Sequence, residues 1–210
     1  MRRGPYCAWA RLWRLVAAVD GQAAQPLHRA AAKGHTEAMQ LLLASGAQLD
    51  AAAQAAVTAM WIESYWGHVD AVRLLLAKGA KPDAATHDTQ MQPIHKAAQQ
   101  GHAAVVEALH SEGGAALDAA DVHGWQPLHF VAAAGHQEVV RALLLLGAPV
   151  AAVSDGEAWQ PLHRAALGGH TEVLRLLLAS GAQVDAATQI GSTALWLASR
   201  RGHVDAVQLL

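Results

Sequence analysis

The stretch QPLHRAALGGHTEVLRLLLASGA, residues 160–182, decides the fold. Pro161 fits the first position of a helix, where a missing N–H costs nothing and the fixed φ helps. Gly169 ends that helix, where the chain needs a left-handed residue. A second helix then starts at Thr171, with Glu172 placed to suit the helix dipole. It runs through Leu176–Leu178, and Gly181 stops it. The reading is helix, turn, helix, then an extended connection.

Working outward, residues 25–47 read QPLHRAAAKGHTEAMQLLLASGA, almost the same sentence. Self-similarity therefore governs the chain. Gly-His occurs at Gly34, Gly67, Gly101, Gly135, Gly169 and Gly202, at spacings of 33, 34, 34, 34 and 33 residues. Gln-Pro-Leu/Ile-His precedes four of these pairs, at Gln25–His28, Gln92–His95, Gln126–His129 and Gln160–His163. Thr-Ala-Met/Leu-Trp precedes the other two, at Thr58–Trp61 and Thr193–Trp196. The Ala pairs Ala30-Ala31, Ala97-Ala98 and Ala165-Ala166 keep one helix face thin, and the Leu triplets are expected to face the neighbouring unit. One unit cannot bury its own apolar face, so stacking must do so. The expected fold is an all-α-dominated repeat solenoid of stacked helix-turn-helix units. Six units lie near 24–56, 57–90, 91–124, 125–158, 159–191 and 192–210, and would span roughly 50–60 Å at helix packing distances. Extra residues fall only in connections, at Ala80–Met91, Gly113–Ala116 and Ser154–Trp159. Leu209-Leu210 stops midway through a second helix, so the sequence reads as a fragment or as a stack whose end something else covers.

Composition agrees and excludes other classes. Of 210 residues, 53 % are hydrophobic and only 15 % charged, too apolar for disorder. Ala supplies 49 positions, which favours closely packed helices over a sheet core. A net charge of −2 offers no basic field for nucleic acid or anionic lipid. No apolar run reaches the ~18 residues of a membrane span. The single cysteine, Cys7, makes no intrachain disulfide and no Cys-type zinc site. Residues 1–23 read as a capping helix or, through Arg2, Arg3, Arg11 and Arg14, as a targeting segment within residues 1–19. Without such targeting, a cytoplasmic or nuclear monomer is expected.

The repeated Pro-Leu-His-x-Ala motif at this period resembles the ankyrin repeat, over about nine-tenths of the chain. The resemblance implies short β-hairpin fingers between the helix pairs and a non-catalytic protein-interaction module. Four units carry Gln where the family has Thr, and Gln is the weaker N-cap. Unit two departs most, because Glu63 stands where other units have a buried Ala. An unpaired carboxylate there is costly, so either Glu63 finds a partner or the unit is distorted.

Thirteen histidines invite a metal, but ten belong to the repeat. Equivalent rings in adjacent units lie a layer apart, near 10 Å, too far for shared zinc ligation at about 2.0–2.1 Å. These imidazoles are expected to bond loop backbone, and His87, His110 and His123 to be solvated loop residues. His-x-Glu recurs at His35, His136 and His170, but without Pro-Cys-x-x-Cys it is no deaminase site. Phosphate-binding and nucleophile-elbow motifs are missing too. No cofactor, metal or catalytic residue is assigned.

Surface residues carry the binding prediction. Trp61 and Trp196 replace the motif histidine and are assigned to packing. Trp125 and Trp159 stand two residues before Pro127 and Pro161, at a place the resemblance identifies as a variable finger tip. There they anchor a partner or pack on each other. The pairs before Gly-His line the concave groove in the family, and here include Tyr65-Trp66 and Arg200-Arg201. Those aromatic and basic ends suit an extended peptide with an apolar end and an acidic end. The candidate partner-binding residues are Tyr65, Trp66, Trp125, Trp159, Arg200 and Arg201. An alternative role is the regulatory or substrate-recruiting arm of a larger enzyme or signalling protein.

Overall fold

The computed structural model describes residues 24–154 and 156–210. The expected capping or targeting segment at 1–23 lies outside the described residues. Within them are twelve α-helices in six pairs: α1 Pro26–Ala32 and α2 Thr36–Ala44; α3 Ala59–Trp66 and α4 Val69–Ala77; α5 Pro93–Gln100 and α6 Ala103–Ser111; α7 Pro127–Ala134 and α8 Gln137–Leu145; α9 Pro161–Gly168 and α10 Thr171–Ala179; α11 Ala194–Arg201 and α12 Val204–Leu209. First helices pack on first helices of adjacent pairs, and second helices on second helices, so two layers run the length of the stack.

The Ala pairs permit that close approach. Ala31, Ala97, Ala98, Ala165 and Ala166 are fully buried between first helices. Second helices contribute Val72, Leu75, Val106, Leu109, Val140, Leu143, Leu174 and Leu177 to the same continuous core. The Leu triplets do not face the neighbour as a block. Leu75 and Leu177 are buried, while Leu74, Leu76, Leu176 and Leu178 are only half buried. Successive helical residues turn by about 100°, so three in a row cannot share one face.

Helix starts come in two chemistries. Where Gln precedes Pro, the motif histidine caps the helix: the Gln126 N–H donates to His129 Nδ1 at 3.1 Å. The same bond recurs at His28, His95 and His163, at 3.1, 3.0 and 3.0 Å. Where Trp replaces His, Thr returns, and Thr58 and Thr193 Oγ1 accept from Trp61 and Trp196 N–H at 3.3 Å. Each unit therefore keeps one side-chain acceptor at its first turn. With Nδ1 occupied as acceptor, the ring proton sits on Nε2 and donates to a finger carbonyl. Those carbonyls are Ala51, Ala119, Trp159 and Ala186 for His28, His95, His129 and His163, at 2.8, 2.8, 3.0 and 2.8 Å. Burial pushes all four imidazoles toward the neutral form, His129 down to about 4.

The fingers are tight turns closed by backbone bonds. Asp121 N–H donates to Trp125 O at 3.0 Å, Ser154 N–H to Trp159 O at 2.9 Å, and Thr188 N–H to Ser192 O at 3.0 Å. Neighbouring tips join through His87 N–H to Ala55 O, Val122 N–H to Thr89 O and Gln189 N–H to Glu157 O. The expected β-hairpins reach only one bridge, Ala187 to Thr193, among the described residues.

Gly-His does more than end a helix. Each histidine from the second unit on (His68, His102, His136, His170 and His203) lies against the glycine of the unit before it. A Cβ on Gly135 would stand 2.5 Å from His170 Nδ1, and one on Gly101 3.0 Å from His136. The ring then reaches back across the layer. His102, His170 and His203 Nε2 donate to Tyr65, Ala133 and Leu167 O at 3.0, 3.1 and 3.1 Å. Gly135→Ala forces a side chain both onto that ring and into a backbone with φ of +80°. A loss of about 2 kcal/mol is expected in urea denaturation, and a change below a few tenths would show the contact to be slack.

Candidate functional site

Two clusters of aromatic and cationic side chains lie along the first helices and fingers. In unit two, the Tyr65 ring stacks on Trp61 with centroids 5.9 Å apart, and Trp66 meets Tyr65 edge-on at 5.0 Å. Trp61 is buried, Tyr65 half buried, and Trp66 44 % exposed. From the next unit Lys96 lays Nζ 5.3 Å from the Trp61 ring centre and donates to Gln99 Oε1 at 2.9 Å. Burial pushes the Lys96 ammonium down to about 8.

On the same helix Glu63 has no exposed surface. The unit is not distorted; α3 is regular, and Glu63 Oε2 lies 2.6 Å from His68 Nδ1. Burial pushes the carboxyl up to about 8, while burial and the neighbouring His102 lower His68. Both directions favour an uncharged pair in which the Glu63 O–H donates to the imidazole. Oε1 is buried with no partner.

The second cluster is built by the fingers. Asp121 Oδ1 accepts from Trp125 N–H at 2.9 Å, and Ser154 Oγ from Trp159 N–H at 3.2 Å. These turn contacts set the two indoles one unit apart, with Arg164 of α9 between them. The guanidinium carbon lies 3.6 Å from the Trp125 ring centre and 4.4 Å from that of Trp159. Burial pulls Arg164 down to about 10, so it stays charged. Its attraction to two indole faces offsets part of its desolvation. Beyond Trp159, a hollow of about 380 Å³ is lined by Leu167, Ile190, Ser192, Trp196, Leu197, Arg200 and Arg201 as well. Arg200 and Arg201 are exposed, with the Arg200 guanidinium 5.1 Å from the Trp196 ring centre.

With stack, fingers and motif geometry in place, comparison with known families is direct. The family model for ankyrin repeats (3 copies) matches residues 12–86, 67–154 and 145–210, overlapping along nearly the whole chain. The chain is an ankyrin-repeat protein. Comparison with curated proteins gives no match. Ankyrin repeats generally serve as protein–protein interaction modules, and the family is typically non-catalytic. Among the described residues no helix is long and apolar enough to cross a membrane. Nor do three His, Cys, Asp or Glu side chains converge there in a way that suits a metal.

The ankyrin stack divides the candidate residues. Trp125 and Trp159 meet through Arg164; Trp159 also shares the hollow with Arg200 and Arg201. Tyr65 and Trp66 stand four units away from that hollow, ~40 Å at about 10 Å per layer. Of the two tryptophans assigned to packing, Trp61 is buried, while Trp196 in the last described unit is 47 % exposed. His110 is corrected. It lies in the last turn of α6 rather than in a loop, and bonds Ala115 O through Nδ1 at 2.9 Å. Sequence reasoning missed Arg164 and Lys96. Both follow the motif histidine, a position held by Arg29, Ile62, Phe130 and Leu197 elsewhere. That variability was the available signal.

Glu63 makes a pH prediction. Its folded pKa is raised, so its contribution is fully present below about 4.5 and is lost as pH rises to about 8. Glu63→Ala restores the residue of Ala30, Ala97 and Ala165. Histidine and lysine effects common to both proteins cancel in the difference. Between pH 5 and 8.5 wild type should lose stability relative to the variant, on the order of a few kcal/mol. Parallel stability–pH curves in urea titrations would refute the assignment.

Proposed function

We propose that this ankyrin-repeat chain is a non-catalytic interaction module that binds a partner protein along the concave groove formed by its fingers and first helices. Tyr65 and Trp66 contact the partner at one end; Trp159, Arg200 and Arg201 contact it at the other. Trp125 supports the second contact as a wall behind Arg164. The module acts as a monomer, in the cytoplasm or nucleus, on protein rather than nucleic acid.

The observation that carries this reading is the exposure of an aromatic ring at one end of the groove and of two adjacent cations at the other. Trp66 is 44 % exposed, and Arg200 and Arg201 are exposed around the hollow that Trp159 lines. Indoles and guanidinium groups are the side chains that most often dominate binding energy. The Trp66 ring is not needed to close the core, since Lys33, Gln100, Ala134 and Gly168 hold its place in other units.

The test is affinity capture of the full chain from source cells with quantitative mass spectrometry. Trp66→Ala and Arg200→Glu/Arg201→Glu are compared with wild type, and circular dichroism verifies folding. A partner bound by wild type should be depleted by each variant, tenfold or more for a central aromatic anchor worth about 2 kcal/mol. A partner set indifferent to both changes would place binding elsewhere.

A further inference from the structure

The hollow beyond Trp159 is a place where the repeat changes its filling. In the layer before it, Trp125 and Trp159 enclose Arg164, at 3.6 and 4.4 Å. One unit on, the residues in the same register are Trp159, Ser192 and Leu197. Ser stands for an indole and Leu for a guanidinium, and both are buried. Space that two large side chains occupy in one layer is therefore left open in the next, as the hollow of about 380 Å³.

Its chemistry is uneven. Trp159, Leu167, Trp196 and Leu197 make the walls aromatic and aliphatic, and Ile190 stands over the opening, 84 % exposed. Arg200 and Arg201 supply two adjacent positive charges, and no carboxylate lines the hollow among the described residues. We infer that this slot takes an aromatic or large aliphatic side chain from an extended partner segment whose flanking residues are acidic. The inference rests on the interaction-module reading and names the partner's chemistry. An incoming ring stacks on the part of Trp159 that Arg164 leaves open. Its flanking carboxylates pair with Arg200 and Arg201, whose forked donors suit them. A basic segment meets two like charges at the same place and is excluded.

Calorimetric titration of the full chain with capped pentapeptides tests this directly. EEFEE should bind, EEAEE at least tenfold more weakly, and KKFKK not at all. Arg200→Ala/Arg201→Ala, on exposed residues that leave the core alone, should weaken EEFEE about tenfold and flatten its salt dependence. Ser192→Trp rebuilds the wall of the preceding layer and should abolish binding. Equal binding of EEFEE and EEAEE, binding of KKFKK, or an unchanged affinity in either variant would overturn the assignment. So would no binding of EEFEE at millimolar concentration. Should EEFEE fail while a captured partner is still lost on Trp66→Ala, the slot assignment falls and the interaction module stands. If capture is also indifferent to both groove variants, the module reading falls with it.

Discussion

The contact between a Gly-His histidine and the glycine one unit earlier, made by His68, His102, His136, His170 and His203, holds the stack in register. A ring can lie on a helix end only if that end carries no Cβ, and the left-handed turn there admits glycine without strain. In His102, His170 and His203 the same ring donates a hydrogen bond to the carbonyl two residues before that glycine. Translation of one unit against the next would lose the stacking and the bond together. The 33- and 34-residue spacing of Gly-His is thus a mechanical constraint, and length changes are absorbed in the fingers.

A second set of imidazoles ties fingers to helices. His129 satisfies the start of α7 with one nitrogen and holds the Trp159 carbonyl with the other. This reaches from scaffold to site, because the backbone of Trp159 is fixed by the motif of the preceding unit. Both nitrogens are engaged by backbone only while the ring is neutral, and burial keeps it so. Where tryptophan takes that place, it cannot accept from the backbone, and threonine supplies the oxygen instead. The pairing of Gln with His and of Thr with Trp is one physical requirement met in two ways.

Unit two shows what the scaffold tolerates. A carboxyl in a site built for alanine survives by holding its proton and donating it to His68. His68 is thereby diverted: the other Gly-His rings with backbone partners reach back to a carbonyl through Nε2, while His68 turns Nδ1 to Glu63. Trp61, Tyr65 and Trp66 stand on the same helix as Glu63. The most polar interior and one of the exposed aromatic rings therefore fall in the same unit.

What the sequence determined by itself was everything that repeats. Period, helix pairs and glycine stops follow from local spacing, because helix geometry fixes which residues share a face. The tertiary structure decided what depends on adjacent layers. Trp61 and Trp196 occupy the same register, yet one is buried and the other 47 % exposed, since burial depends on the neighbouring layers. Trp125 and Trp159 are 34 residues apart in sequence, and only stacking places Arg164 between them. Partnership for Glu63 likewise came from a helix turn that carries His68 back over it. Side chains five to forty residues apart meet through packing, and no local periodicity encodes which of them will.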